Sequence, residues 1–551
     1  MKSAASKLLL GLIILNSILV SILSLVPPIS RDALVHHLAV PKLYLEHGGI
    51  FELPCMSYSY FPMNLNLLYM IPLYFGNDIA PKFIHFSFAL LTGALIYIYL
   101  KKRLNTAYGL FGAFLYLSLP IIIKLSITVY VDLGLAFFSF AALIMIFEWV
   151  NARFKIKYLI FSGILCGLAM GTKYNGLITL LILSLFVPFL YSRFNRDVKN
   201  TSVKAILYCI AFIMVSSAVF SPWGIRNYKW KGNPFYPLYN KYFSLKNDNP
   251  CIPRYKVKYS KTTPISRFEA RALLYDETPA DMFLLPIRVF FQGKDNDFKY
   301  FDGKLSPLLF FLSILAFVNF RNRNPHKYEL NALLFFSIIF ILIAILSTSV
   351  RIRYFLPAIP CLVILSVYGL KNAHDMITRY ALRRKRLFLS FVYICIPGFI
   401  LFHTGDYFIE QFNYVKPFNY ISGKVSKDEY ISMFRNEYPA MIFINKNLPE
   451  DANILFIYNG KRGYYCNRNY IPDEGNNLRM LYSFIQNIQH PVRIREELRQ
   501  RGITHLFLNN RFVKDRISED LNKIDHQIFL TLMTRYTKKL FDQSGYSLYQ
   551  L

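Results

Sequence analysis

PPISRDALVHHLAVPKLYLEHGGIFELPCMSYSYFP, residues 27–62, is a polar segment set between apolar blocks, and it carries Asp32, His36, His37, Glu46 and His47. The block before it, 8–26, approaches the roughly 20 apolar residues that a spanning helix needs. It resembles a signal sequence, but it runs long and ends at Pro27-Pro28 without a small-residue cleavage site, so a retained helix is expected. After the segment, 64–75 is apolar but short, the pattern of an interfacial or re-entrant element. Further candidate spans are 80–100, 107–123, 130–150, 158–172, 176–191, 205–221, 306–320, 330–348, 353–370 and 387–404, which makes eleven in all. The expected fold class is a polytopic α-helical membrane protein.

Composition agrees. The 551 residues are 54% hydrophobic and 17% aromatic, with a mean hydropathy of +0.31. Soluble domains rarely reach this in long runs. The net charge of +30 lies in short clusters between apolar runs rather than in one basic face, which argues for loops and headgroup contact and against nucleic acid. The clusters are Lys101-Lys102-Arg103, Arg153/Lys155/Lys157, Arg193/Arg196/Lys199/Lys204, Arg321/Arg323/Lys327, and Lys371 through Arg386. All fall on alternate loops. The positive-inside bias therefore puts them and the N-terminus in the cytoplasm, and 27–79, 222–305 and 405–551 outside. Seven cysteines with no CxxC or metal spacing imply no disulfide framework.

The expected domains are a membrane unit, 1–404, and an extracytoplasmic α/β unit, 405–551. In the latter, 453–458 and 504–509 read as buried strands, 546–551 as a third, and 478–488 and 492–501 as helices. No phosphate-cradling glycine motif accompanies them, and no internal repeat is visible.

Lys124, Lys173, Arg351 and Arg353 stand at the outer ends of expected spans, where insertion energetics disfavour charge. Each could simply snorkel; four at one level favour a shared anion site. Arg226, where the long outer loop starts, and Tyr354, beside Arg353, join the candidates, because guanidinium and ammonium groups suit phosphate. Asp132, inside the outer end of the fourth span, needs a partner or a role, and Lys124 is the expected partner. Asp32 has two readings: the N-cap of an interfacial helix or a general base.

DALVHHLAVPKLYLEHGG (32–49), YSYFPMNLNLLY (58–69), YVDLGLAFF (130–138), GTKYNG (171–176), PWGIRNYKWKGNPFYPLY (222–239) and RIRYFLPAIP (351–360) occur in one order. Together they resemble the glycosyltransferase C superfamily, in the bacterial and archaeal branch related to protein O-mannosyltransferases and aminoarabinose transferases. The resemblance spans roughly 8–404, and the C-terminal NLPEDANILFIYNGKRGYY, LRQRGITHLFLN and SLYQL are similar to a domain that often trails such enzymes. It implies a polyprenyl-phosphate-linked sugar donor, membrane lipids as neighbours, Asp32 as base, Asp132 as second acid, and Lys173, Arg351 and Arg353 near the lipid phosphate. The protein-mannosyltransferase branch carries Asp-Glu where this chain has Asp32-Ala33, so that branch's acceptor is not carried over; protein, lipid and glycan all stay open.

Tyr58, Tyr60, His36 and His37 could bind sugar hydroxyls. Adjacent histidines point apart on a helix, so no metal site is expected; a divalent cation between the acids remains an option, and no other cofactor is implied. A transporter would place charges at the midplane and show a repeat. A polymerase or ligase using pyrophosphate-linked donors would share the membrane setting.

Overall fold

The computed structural model describes residues 2–196, 200–243, 266–318, 326–347, 349–380, 385–472 and 479–551. Among these, eight helices are long and apolar enough to cross a membrane: Ala4–Ser24, Ala80–Arg103, Asp132–Asn151, Gly176–Phe194, Thr201–Lys231, Lys327–Leu346, Ile352–Arg379 and Val392–Val415. The protein is a multi-pass membrane protein. The span expected at 107–123 is two helices, Thr106–Leu117 and Pro120–Ser126, bent by 65°. Pro120 causes the break: it disfavours helical geometry at the residue before it, and Leu119 is extended. Counted as one span, the pair brings the total to nine.

The remaining two expected spans fall on shorter helices, Ile156–Thr172 and Pro307–Leu315. The helix Thr201–Lys231 continues ten residues past the expected boundary at 221, through Pro222. The basic residues 199, 321, 323 and 383–384 of the expected cytoplasmic clusters lie outside the described residues.

The segment 27–62 folds back over the ends of the spans. Asp32 does not cap: its side chain makes no capping bond, and Ala33–His37 is a short π-helix. The helix Ala39–His47 follows and ends on Gly48, whose φ of +79° suits a residue without a side chain. A 3₁₀ turn, Ser57–Tyr60, then leads into Asn64–Tyr74, the short apolar element. Cys55 is disulfide-bonded, contrary to the expectation from spacing. A pairing that leaves no motif in the local sequence gives spacing arguments nothing to read.

The C-terminal unit is a five-stranded sheet: β1 Asn453–Ile457, β2 Asn469–Ile471, β3 His505–Asn509, β4 Lys538–Gln543 and β5 Tyr546–Gln550, in the order β2-β1-β3-β5-β4. β1 is parallel to β2 and β3, while β5 is antiparallel to β3 and β4. Its two faces bury separate apolar clusters, one around Phe484 and Leu506 and the other around Phe456 and Phe507. The membrane core reaches as far as Tyr430, beyond the expected boundary at 404. The helix Lys385–Val415 crosses that boundary.

This unit grips the first loop. Lys42 Nζ donates to the carbonyls of Tyr464 and Cys466 at 3.0 and 2.9 Å and to Asn467 Oδ1 at 2.7 Å. The Tyr464 amide donates to Leu34 O, and the Tyr465 hydroxyl to Pro28 O. Lys427 pairs with Asp78 at 2.9 Å. Backbone groups of a loop are thereby satisfied by a unit more than 400 residues away in the chain.

Candidate active site

Where the first loop meets the span ends there is a cavity of about 370 Å³. Eight of the residues singled out in the sequence line it: Asp32, His36, His37, Tyr58, Lys173, Arg351, Arg353 and Tyr354.

Local sequence explains the arrangement. Arg351 is extended and leads into the 3₁₀ helix Ile352–Ala358, whose first turn carries Arg353; both arginines line the cavity. Ile352 is fully buried, and its amide donates to Phe301 O at 3.0 Å. Arg353 Nη2 donates to Asp32 Oδ2 at 2.7 Å. Lys173 caps the C-terminus of Ile156–Thr172, and Asp132 opens Asp132–Asn151; each charge suits the helix end it occupies. They pair at 2.6 Å. The glycines flanking Lys173 permit the tight packing of its turn. A Cβ on Gly171 would lie 2.3 Å from Asn64 Nδ2, and one on Gly176 would lie 2.5 Å from the backbone of Ala169.

The Tyr354 ring is ringed by cations: Lys173 at 4.7 Å, Arg353 at 5.2 Å and Arg351 at 5.8 Å from its centroid. Such contacts fix charges in place while leaving their hydrogen-bonding capacity partly open. Arg353 Nε and Arg351 Nε are buried without a hydrogen-bond partner.

Burial alone would raise the Asp32 carboxyl, but the charge and hydrogen bond of Arg353 outweigh it and hold the group well below the usual carboxylate range. Burial pushes His36 down to about 4 and His37 well below its ordinary value, so both imidazoles are neutral near pH 7. Asn66 Nδ2 donates to His37 Nδ1 at 3.1 Å and to the His37 carbonyl, which leaves the proton of the neutral ring on Nε2. The two rings are not turned apart. Their centroids are 3.9 Å apart, because the π-helix alters the spacing, and His36 also stacks on Tyr58 at 4.6 Å. Among the described residues, no three His, Cys, Asp or Glu side chains are grouped as a metal site would require.

Four expected residues stand elsewhere. Asp132 is fully buried behind the wall, and its partner is Lys173, not Lys124. Lys124 sits on the short helix after the bend and pairs with Asp302 at 2.8 Å and Asp295 at 3.3 Å. Arg226 stacks on Trp223 and Trp230 at 4.6 and 5.0 Å and donates to Asn227 and to the Phe61 carbonyl, off the cavity wall. Tyr60 is buried, its hydroxyl donating to Glu52 at 2.6 Å.

A second cavity, of about 550 Å³, lies on the other side of the Asp32–Arg353 pair and shares Arg31, Asp32, Arg351 and Arg353 with the first. Lys82, Lys124, Asp302 and Arg435 line it. Sequence reasoning missed Arg31, Lys82, Asp302 and Arg435. Arg31 could have been found by its place next to Asp32; Arg435 gave no signal, since it reaches the site through the fold, donating to Ile29 O.

With this geometry in place, similarity to known proteins becomes informative. The structure superposes on ArnT from Cupriavidus metallidurans in the apo state with a TM-score of 0.57 at 12% identity, covering 98% of this chain and 97% of that one. For ArnT bound to undecaprenyl phosphate the TM-score is 0.54 at 11% identity, over 99% and 97%. The chain has the glycosyltransferase C fold. Archaeal oligosaccharyltransferase AglB from Archaeoglobus fulgidus, in complex with an inhibitory peptide and a dolichol-phosphate, matches this fold with a TM-score of 0.51 at 12% identity, over 91% of this chain and 69% of that one. The family model for dolichyl-phosphate-mannose-protein mannosyltransferase matches residues 71–223, a stretch of the glycosyltransferase C fold that holds Asp132 and Lys173 but neither Asp32 nor Arg353. No curated protein matches the sequence.

Proposed function

We propose that this protein is a membrane glycosyltransferase that moves a sugar from a polyprenyl-phosphate carrier to a hydroxyl acceptor on the extracytoplasmic face, with Asp32 as general base. The observation that carries the reading is the Asp32–Arg353 pair, 2.7 Å apart, where two cavities meet. Two cavities sharing one carboxylate suit a reaction of two substrates. Proteins of the same fold bound to undecaprenyl phosphate and to dolichol-phosphate support a lipid phosphate as the donor's carrier. Nucleotide sugars are cytoplasmic, so an outward-facing enzyme needs a sugar brought across on lipid. The Cys55 disulfide supports an oxidising, outer setting for the first loop.

In this mechanism the acceptor O–H loses its proton to Asp32 and its oxygen attacks the anomeric carbon. The bond from that carbon to the phosphate oxygen breaks, and polyprenyl phosphate leaves with the electron pair. Attack opposite the phosphate inverts the anomeric centre. Arg351, Arg353 and Lys173 meet the developing negative charge, as fixed cations set in place before the reaction do. Asp132 is a positioning residue that holds Lys173.

A carboxylate paired to arginine is a weak base. The donor phosphate competes for Arg353, and as that pair loosens the Asp32 carboxylate gains basicity. The base is thus masked until the donor is bound. His36, whose Nδ1 is buried and unpartnered, and Tyr58 are placed to meet sugar hydroxyls.

The test is donor chemistry. Purified protein in nanodiscs is given polyprenyl-monophosphate sugars and polyprenyl-pyrophosphate sugars, and release of the free lipid phosphate is followed. Turnover of the monophosphate form alone is expected. Turnover confined to pyrophosphate donors, or none beyond vectorial movement of lipid, contradicts the proposal.

A further inference from the structure

The C-terminal unit supplies part of the site wall: Gly460 and Lys461 line the same cavity as Asp32 and Lys173. They belong to the loop Tyr458-Asn459-Gly460-Lys461-Arg462-Gly463, which leaves the carboxyl end of β1. In α/β sheets the carboxyl ends of parallel strands are where ligand-binding loops emerge, and β1 is parallel to both its neighbours.

The loop is held in an unusual shape. Tyr458, Gly460 and Lys461 have φ of 55°, 73° and 62°. Left-handed geometry is disfavoured for a residue with a side chain, so it persists only where the surroundings fix it, as they often do at ligand sites. Here Arg462 is paired with Glu437 and the next residues are bonded to the first loop. Asn459 is 1% exposed, yet neither its amide nitrogen nor its amide oxygen has a hydrogen-bond partner. A buried amide left unsatisfied is destabilising. A strained backbone and an orphaned amide thus stand in the same loop as the two residues that line the cavity.

We propose that this loop is the acceptor-facing wall of the site, and that Lys461 is a specificity-determining residue which holds an anionic group, phosphate or carboxylate, on the acceptor. The inference rests on the glycosyltransferase reading. A lipid donor enters from the membrane, where the span ends already present Arg351, Arg353 and Lys173 to its phosphate. Lys461 comes from the sheet unit rather than from a span, and in this reading the acceptor approaches past that unit. Its charge then selects for an acidic acceptor.

The experiment uses full-length protein in nanodiscs saturated with undecaprenyl phosphate, so that the donor side is filled. Glucose 6-phosphate, glucuronate and methyl glucoside serve as probes, and their binding is read by saturation-transfer NMR. At least one charged sugar is expected to bind tenfold or more tighter than methyl glucoside; which of the two does so separates phosphate from carboxylate. Lys461→Ala is expected to abolish that preference and Lys461→Arg to retain it, while the affinity of Lys461→Ala for undecaprenyl phosphate stays within twofold of wild type. Loss of lipid affinity in Lys461→Ala, with sugar preference intact, would assign Lys461 to the donor and overturn the proposal, as would no change in either. Failure of the wild type to bind undecaprenyl phosphate at all would instead strike the glycosyltransferase reading. A thermal-unfolding scan of each variant, and the Arg variant, guard against misfolding.

Discussion

Arg353 Nη2 donates a 2.7 Å hydrogen bond to Asp32 Oδ2 across 321 residues of chain, and this contact ties the first loop to the N-terminal end of the span Ile352–Arg379. It joins the group proposed to take the proton to a group proposed to receive the leaving phosphate.

Replacing Arg353 therefore acts on both substrates. Arg353→Ala is expected to lower kcat by about 10²–10³, the usual loss when one preorganised charge-stabilising donor is removed. Arg353→Lys should recover only part of it, because lysine cannot present the same planar fork. Steady-state release of polyprenyl phosphate measures both; equal activity of the Lys variant and wild type would contradict the argument.

The masked base has a signature in pH profiles. In the free protein Asp32 is held well below the usual carboxylate range and His36 at about 4, so kcat/KM should stay flat from about pH 8 down to about pH 5. Donor binding draws on Arg353 and raises the Asp32 carboxyl, so the acid limb of kcat, which reports the complex, should lie at higher pH than that of kcat/KM. Coincident limbs would mean that the donor leaves the pair intact.

Stability follows the same groups. The unfolded chain protonates His36 near its ordinary 6.5 while the folded chain resists until about 4, so its contribution is full above about pH 7 and is lost as pH falls toward 4. The Asp32 contribution, from a depressed carboxyl, is lost only below its ordinary 3.8. Thermal unfolding midpoints in detergent should therefore fall between pH 6.5 and 4, and His36→Gln should flatten that slope.

Asp132 and Lys173 form a pair whose acid is fully buried. Removing Lys173 leaves the buried Asp132 charge alone, at a cost of about 3–5 kcal/mol. Lys173→Met should lower the unfolding midpoint sharply, and Lys173→Met with Asp132→Asn should recover stability but not transfer. Recovery of both would deny Lys173 a part in the reaction.

Gly171 has no room for a side chain beside Asn64, which bridges Trp223 Nε1 and the Leu168 carbonyl. Gly171→Ala is expected to destabilise by about 1–3 kcal/mol, the usual range for overpacking; an unchanged unfolding midpoint would show that Asn64 yields without cost.

Much of this was legible in the sequence. Among the described residues, apolar runs matched the eight helices long enough to span, since lipid demands a length that the residues must advertise, and charges at span ends pointed to Lys173, Arg351 and Arg353, which line the cavity, because burying them without purpose is expensive. The bend at Leu119 could have been read from Pro120. Pairings could not. Nearness in sequence suggested Lys124 for Asp132, whereas the fold brings Lys173 to it and sends Lys124 to Asp295 and Asp302. Arg226 carried a basic signal but spends its charge on two tryptophans. Lys461 and Arg435 were invisible for the opposite reason: each stands in a segment that looks like an ordinary polar surface until the sheet unit is docked on the first loop.

The account stands or falls on Asp32, and one comparison tests it: wild type against Asp32→Asn in nanodiscs, with undecaprenyl phosphate binding and sugar transfer measured on the same preparations. Transfer is expected to fall by about 10³ or more, within reach of losing a general base and its local charge, while lipid binding and the unfolding midpoint hold. Transfer near the wild-type rate by a folded, lipid-binding Asp32→Asn protein would contradict it.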